Sequence, residues 1–231
     1  MAHDYRILIG ANGWLHPAWQ GGFYPEDLPQ DWQLGYYSNE FPIVLLSAEA
    51  WSTVRDEIGD WLEDCNDELR IVCEIPGSML RLPAMEAKRQ IEVYLSELTV
   101  LAEHLVAVIL PITKFTTELE TLLGNINCPV PVCIELDQAM PEAETKLIQK
   151  MCEQKQWPLL WHGEQDPSTL SYGRVAICRI RGMGMVMRQL REVVETMLKL
   201  TTPEQTAILI IDGEPPDLTT IRNANVILDL F

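Results

Sequence analysis

The chain has 231 residues, enough for one sizeable core and within the range of single-domain α/β barrels. Hydrophobic residues make up 47%, which excludes a disordered acidic tail. With 17 Lys and Arg against 34 Asp and Glu, the formal net charge is −17; such a surface repels a phosphate backbone, so neither nucleic acid nor an anionic membrane is expected as a partner.

In chain order, eight short apolar, β-branched runs stand out, at residues 6–10, 43–47, 69–75, 105–110, 130–136, 158–162, 175–180 and 207–211. Most lack polar alternation, as expected of parallel strands buried on both faces. The segments between them carry helical spacing. Residues 51–64 place Trp51, Val54, Ile58 and Trp61 on one stripe, and 85–105, 141–156 and 187–200 follow the same pattern. A final helix over 217–229 follows Pro215 and Pro216. Only 12 residues separate His162 from Val175, too few for a full crossover helix, so a turn is expected near 168–172.

Eight alternations favour a closed (β/α)8 barrel over an open doubly wound sheet, with one helix short or missing between the sixth and seventh strands. No Gly-x-Gly-x-x-Gly follows the first strand, so a dinucleotide fold is disfavoured and no cofactor is indicated. No linker or repeat divides the chain, which is read as one domain over residues 1–231. The amino terminus lacks the basic and apolar regions of a secretion signal, and the longest apolar runs fall short of the roughly 20 residues a membrane helix needs. Six cysteines form no Cys-x-x-Cys pair, and Cys73, Cys133 and Cys178 sit inside apolar runs as small hydrophobes. A cytoplasmic location is expected. Oligomeric state stays open.

The opening Ile9-Gly10-Ala11-Asn12-Gly13-Trp14, then His16-Pro17 and Trp19, then Phe23-Tyr24-Pro25-Glu26 and Leu28-Pro29, resembles the YecE-like family (domain of unknown function 72). Thinner echoes follow in Glu74-Ile75-Pro76, Leu110-Pro111, Ile134-Glu135-Leu136 and Arg179-Ile180-Arg181-Gly182. The resemblance implies a TIM-type barrel with a pocket and no settled reaction. It also implies departures: Glu74 stands where the family has Lys, Ile109 for Gln, Asp137 for Arg, Arg181 for His, and Asp212-Gly213 for an Asn pair. The polar lining of the mouth is thus altered, and a different ligand is implied, or none.

In such barrels the chemistry sits at the carboxyl ends of the strands. Asn12, Trp14, Glu49, Trp51, Glu74, Glu135, Asp137, His162, Glu164, Arg179, Arg181 and Asp212 fall there. Period two puts Glu135 with Asp137, and Arg179 with Arg181, on one face of their strands; an unpaired charge on the dry outer face would be costly, so they are expected inward. Glu135 and Asp137 are the candidate acid–base groups of a hydrolase or lyase acting on a small anionic or sugar-like substrate. Arg179, Arg181, Gly182 and Gly184, ahead of a helix, are the candidate anion site, with Asn12, Trp14, Glu74, His162 and Asp212 as further ligand contacts. Three alternatives stand beside this. The charges form a structural network, leaving a non-catalytic barrel that binds a small ligand or a protein. Glu135, Asp137, His162 and Asp212 bind a metal, although no His-x-His spacing supports it. Trp14 and Trp19 cap the barrel and line no aromatic wall. Gly10, Ala11 and Gly13 are expected to be small because the chain leaves the first strand close to the mouth, with Gly13 in a backbone conformation closed to other residues.

Overall fold

The computed structural model describes residues 7–164, 166–181 and 185–231. Within them lie seven parallel strands: β1 (Leu8–Asn12), β2 (Ile43–Leu46), β3 (Arg70–Glu74), β4 (Leu105–Ile112), β5 (Val132–Leu136), β6 (Val175–Arg181) and β7 (Thr206–Asp212). Their order in the sheet is β5-β4-β3-β2-β1-β7-β6. Helices alternate with them: α1 (Gln33–Ser38), α2 (Ala48–Val54), α3 (Ile58–Leu62), α4 (Ala84–Glu97), α5 (Thr117–Asn125), α6 (Glu142–Lys155), α7 (Met187–Leu200) and α8 (Leu218–Leu228). This is a TIM-like α/β barrel, nearly closed. Among the described residues no helix is long and apolar enough to cross a membrane.

The expected sixth strand, 158–162, is where the barrel closes, and it does so with a single bridge on each side. Ile134 N donates to Pro158 O at 2.9 Å and Leu160 N to Ile134 O at 2.7 Å, tying the segment to β5. Trp161 N donates to Ile177 O at 3.0 Å and Arg179 N to Trp161 O at 2.9 Å, tying it to β6. The segment cannot extend its ladders because Pro158 has no N–H to give and Gly163, at φ +87°, turns the chain away. The missing crossover helix is replaced by a 3-10 turn at Ser168–Ser171, where the turn was expected.

The strands read as unbroken apolar runs because both faces are buried. In β2, Ile43 and Leu45 point into the barrel while Val44 and Leu46 pack under the helices, and all four are buried. Ile43, Leu45, Val72, Ile109, Ile177 and Ile210 belong to the plug that fills the barrel. The stripe Trp51, Val54, Ile58 and Trp61 is buried as expected, but over two helices in place of one; α2 starts early because the Ser47 hydroxyl caps it, accepting from Ala50 N at 3.1 Å. The helix expected over 85–105 ends at Glu97 and continues as 3-10 turns to His104. Helix α5 went unrecognised, although Thr116 caps it and Leu119, Leu122 and Leu123 form its buried stripe.

Gly13 takes φ +76°, as expected. At Gly10 the demand is space: a Cβ there would overlap the carbonyl oxygen of Ile43. The Tyr37 hydroxyl ties β1 to β2 at this point, accepting from Ala11 N and donating to Ile43 O, both at 2.8 Å. Gly10→Ala is therefore expected to lower stability by about 3 kcal/mol in urea unfolding, since the carbonyl it meets is fixed backbone. Gly124→Ala, in α5 with nothing within 4 Å of the new methyl, should be neutral or mildly stabilising. Equal unfolding midpoints for the two variants would refute the close approach.

Candidate functional site

The inward parity of each strand carries the plug upward to a polar layer. Two residues beyond Gly10, Val72, Cys133, Leu160, Ile177 and Ile210 stand Asn12, Glu74, Glu135, His162, Arg179 and Asp212. Arg179 lies at the centre of this layer, its side chain 15% exposed. Its Nε donates to Asp212 Oδ2 at 3.1 Å, and its terminal nitrogen approaches Glu135 Oε2 at 3.3 Å and Oε1 at 3.4 Å. Asp212 is itself held: its Oδ1 accepts from Asn12 Nδ2 at 2.9 Å and from Gly213 N at 3.0 Å. His162 Nδ1 lies 3.3 Å from Arg179 O and Nε2 lies 3.6 Å from Glu135 Oε1. A carbonyl can only accept, so Nδ1 carries the proton and the lone pair on Nε2 faces the Glu135 carboxyl.

Two carboxyls, Glu135 and Asp212, pair with the one guanidinium, and a third, Glu74, lies within its electrostatic reach. Burial raises the Glu135 pKa and outweighs the pull of Arg179, while Asp212 pushes the same way as burial. Glu74 is raised by burial too, against Arg179 and with Glu135 and Asp212. Burial works against the Arg179 charge, yet Glu135, Asp212 and Glu74 together hold it above its ordinary value. His162 is lowered by burial, so the neutral ring persists to more acid pH. Burial likewise lowers His16, whose Nε2 lies 3.0 Å from the Asn12 carbonyl.

Above this layer opens a cavity of about 910 Å³, lined by Glu135, His162 and Arg179 on its floor and by Asp137, Glu164 and Arg181 on its rim. Its flank runs over α7, where Gln189, Glu192 and Thr196 face it. These three went unrecognised in the sequence, although their i, i+3, i+7 spacing marks one helix face. Arg181 is exposed and has no ion-pair partner among the described residues. Asp137 lies beyond β5 and is exposed, its Oδ1 accepting from Ala139 N at 2.8 Å. It lines the cavity but does not join Glu135 on Arg179, contrary to the expectation of an inward pair; past the last ladder residue the chain has already begun its turn. Gly182 and Gly184 lie outside the described residues. Trp14 and Trp19 are buried caps: Trp14 packs edge-on to Trp61 at 6.3 Å and Trp19 stacks on Tyr37 at 6.3 Å. Neither lines the cavity. Among the described residues no three His, Cys, Asp or Glu side chains converge as metal ligands.

The family model described as "Protein of unknown function DUF72" matches residues 8–230. A DUF72 family protein of Thermotoga maritima, known from its crystal structure, is similar at 16% identity and a TM-score of 0.73, over 97% of this chain and 100% of that one. At that identity the likeness speaks to the fold alone. No curated protein matches the chain.

The carboxyl cluster has a consequence for stability. A carboxyl whose folded pKa is raised stabilises the fold while protonated and loses that contribution as pH rises through the folded value. Glu74→Gln removes this cost. Its melting temperature is expected to exceed that of the unaltered protein by a few degrees at pH 8, with the gap closing near pH 4; an unchanged or lower value at pH 8 would mean that Arg179 outweighs burial at Glu74.

Proposed function

The chain belongs to the DUF72 family, also called YecE-like, and from that footing we propose that the mouth of this barrel is an acid–base site for a small substrate bearing an anionic group. The reaction class is hydrolysis or elimination. One arrangement carries the reading: a Glu135 carboxyl and a His162 lone pair 3.6 Å apart, on the floor of a cavity whose rim holds Arg181, without an ion-pair partner among the described residues.

Each residue has a role in it. Arg181 anchors the anion with paired donors, and the amino end of α7, which begins six residues later at Met187, adds its positive dipole. Glu135 and His162 share one proton, because a carboxylate and a lone pair repel unless a proton lies between them. Burial raises the acid and lowers the base, which draws the two values together. Arg179 is a positioning residue that holds Glu135, and Asp212 and Asn12 hold Arg179 in turn. Asp137 at the rim is a second acid within the cavity wall.

The alternative, a barrel that binds without chemistry, draws on a different observation: Arg179 is ion-paired with both Glu135 and Asp212. Two measurements separate the readings. Phosphate or sulfate at low ionic strength should raise the melting temperature, and Arg181→Ala should abolish the rise while Arg89→Ala, an exposed change on α4 away from the cavity, leaves it. A rise that survives Arg181→Ala sinks the anion site. In a screen of small anionic metabolites, Glu135→Gln should lower any turnover by roughly 10²–10⁴-fold without weakening sulfate binding. Ligand binding without turnover, unaffected by Glu135→Gln, would select the binding-only barrel.

A further inference from the structure

The charge on the cavity wall narrows the ligand. Five carboxylates line it, against the two guanidinium groups of Arg179 and Arg181. Arg179 is ion-paired with Glu135 and Asp212, and Arg188, with its side chain 88% exposed, meets Glu192 at 3.0 Å. That leaves three charges uncommitted to ion pairs among the described residues: Arg181, Asp137 and Glu164. A purely anionic ligand on Arg181 would therefore sit inside a wall of net negative charge, on a protein whose formal charge is −17.

We infer that the ligand is zwitterionic: its anionic group sits on Arg181, and an amine on the same molecule meets the rim carboxylates Asp137 and Glu164. This rests on the anion-binding reading of the same cavity. Asp137 follows the end of β5, Glu164 the closing segment 158–162, and Arg181 ends β6, so the three stand on successive staves of the barrel. Neighbouring strands lie about 4.8 Å apart, which sets the anchors roughly 5–10 Å apart at the backbone. Arg181 and Glu164 nevertheless make no contact as close as an ion pair, and each presents its charge to the cavity. A small molecule with charges at opposite ends of a short chain satisfies both ends; a dianion satisfies one and is repelled at the other.

Matched probes test the inference: alkyl phosphates and ω-aminoalkyl phosphates of increasing chain length, measured by calorimetry at low salt. The aminoalkyl series should bind about tenfold tighter at its best length, the worth of one charge-assisted hydrogen bond. The double variant Asp137→Asn, Glu164→Gln alters two exposed side chains and keeps an Oδ1 for the Ala139 turn, and it should close that gap. Alkyl phosphates binding as tightly as their amino counterparts would overturn the zwitterion and leave the anion site intact. A preference that persists in the double variant would also overturn it. Binding of neither series, or binding indifferent to Arg181→Ala, would take down the underlying anion site as well.

Discussion

Arg179 brings a permanent charge to the top of an apolar plug, and the organisation of the mouth follows from the need to compensate it. A buried guanidinium without partners would cost several kcal/mol, so Asp212 and Glu135 must stand beside it. They come from β7 and β5, the next strand on one side and the next strand but one on the other. The ion cluster thus bridges the place where the barrel is closed by only one backbone bridge on each side. Asn12 and the Gly213 amide fix Asp212 and so extend the same network across β7 to β1. What the closing segment lacks in ladder hydrogen bonds is offset by side chains that join its neighbours.

The network carries more negative than positive charge, and the proposed acid–base role draws on that excess. A single Glu–Arg pair in this position would be inert, both groups fixed in their charged forms. With three carboxyls around one guanidinium and little solvent, ionising the last of them is disfavoured, and Glu135 and Glu74 are pushed upward by burial. His162 turns its unprotonated nitrogen to Glu135 because its other nitrogen is committed to the Arg179 carbonyl. The Arg179 residue thus orients both members of the pair, one through its side chain and one through its backbone. On the proposed function, compensation and proton handling are one arrangement seen from two sides.

The shortened connection between 162 and 175 matters to the same site. A full helix there would have covered the outer face of the closing segment and walled off α7. With only a 3-10 turn at Ser168–Ser171, the cavity runs from the polar floor over the rim to Gln189, Glu192 and Thr196. The wide mouth thus traces to too few residues between two strands, and the weak closure beside it to Pro158 and Gly163.

Much of this was legible in the sequence. Seven of the eight apolar runs became strands, because a parallel strand buried on both faces needs an unbroken apolar stretch. The inward parity of Glu135 and Arg179 followed from period two, and Gly13 from its place after the first strand. The helices blurred where a cap or turn intervened, as at Ser47 and at 98–104, since apolar spacing continues across a break that side-chain hydrogen bonds create. The chain also carried its family in the Gly-Ala-Asn-Gly-Trp opening. Which charges meet, however, was decided only in three dimensions. Periodicity gives the face a side chain points to and says nothing of how far its strand runs before it turns. Asp137 and Arg181 share parity with Glu135 and Arg179, yet they lie two residues further along, Asp137 just past its ladder and Arg181 on the last rung of its own, and both face the open cavity. Glu135 and Arg179 stop at the plug, where scarce solvent compels them to pair.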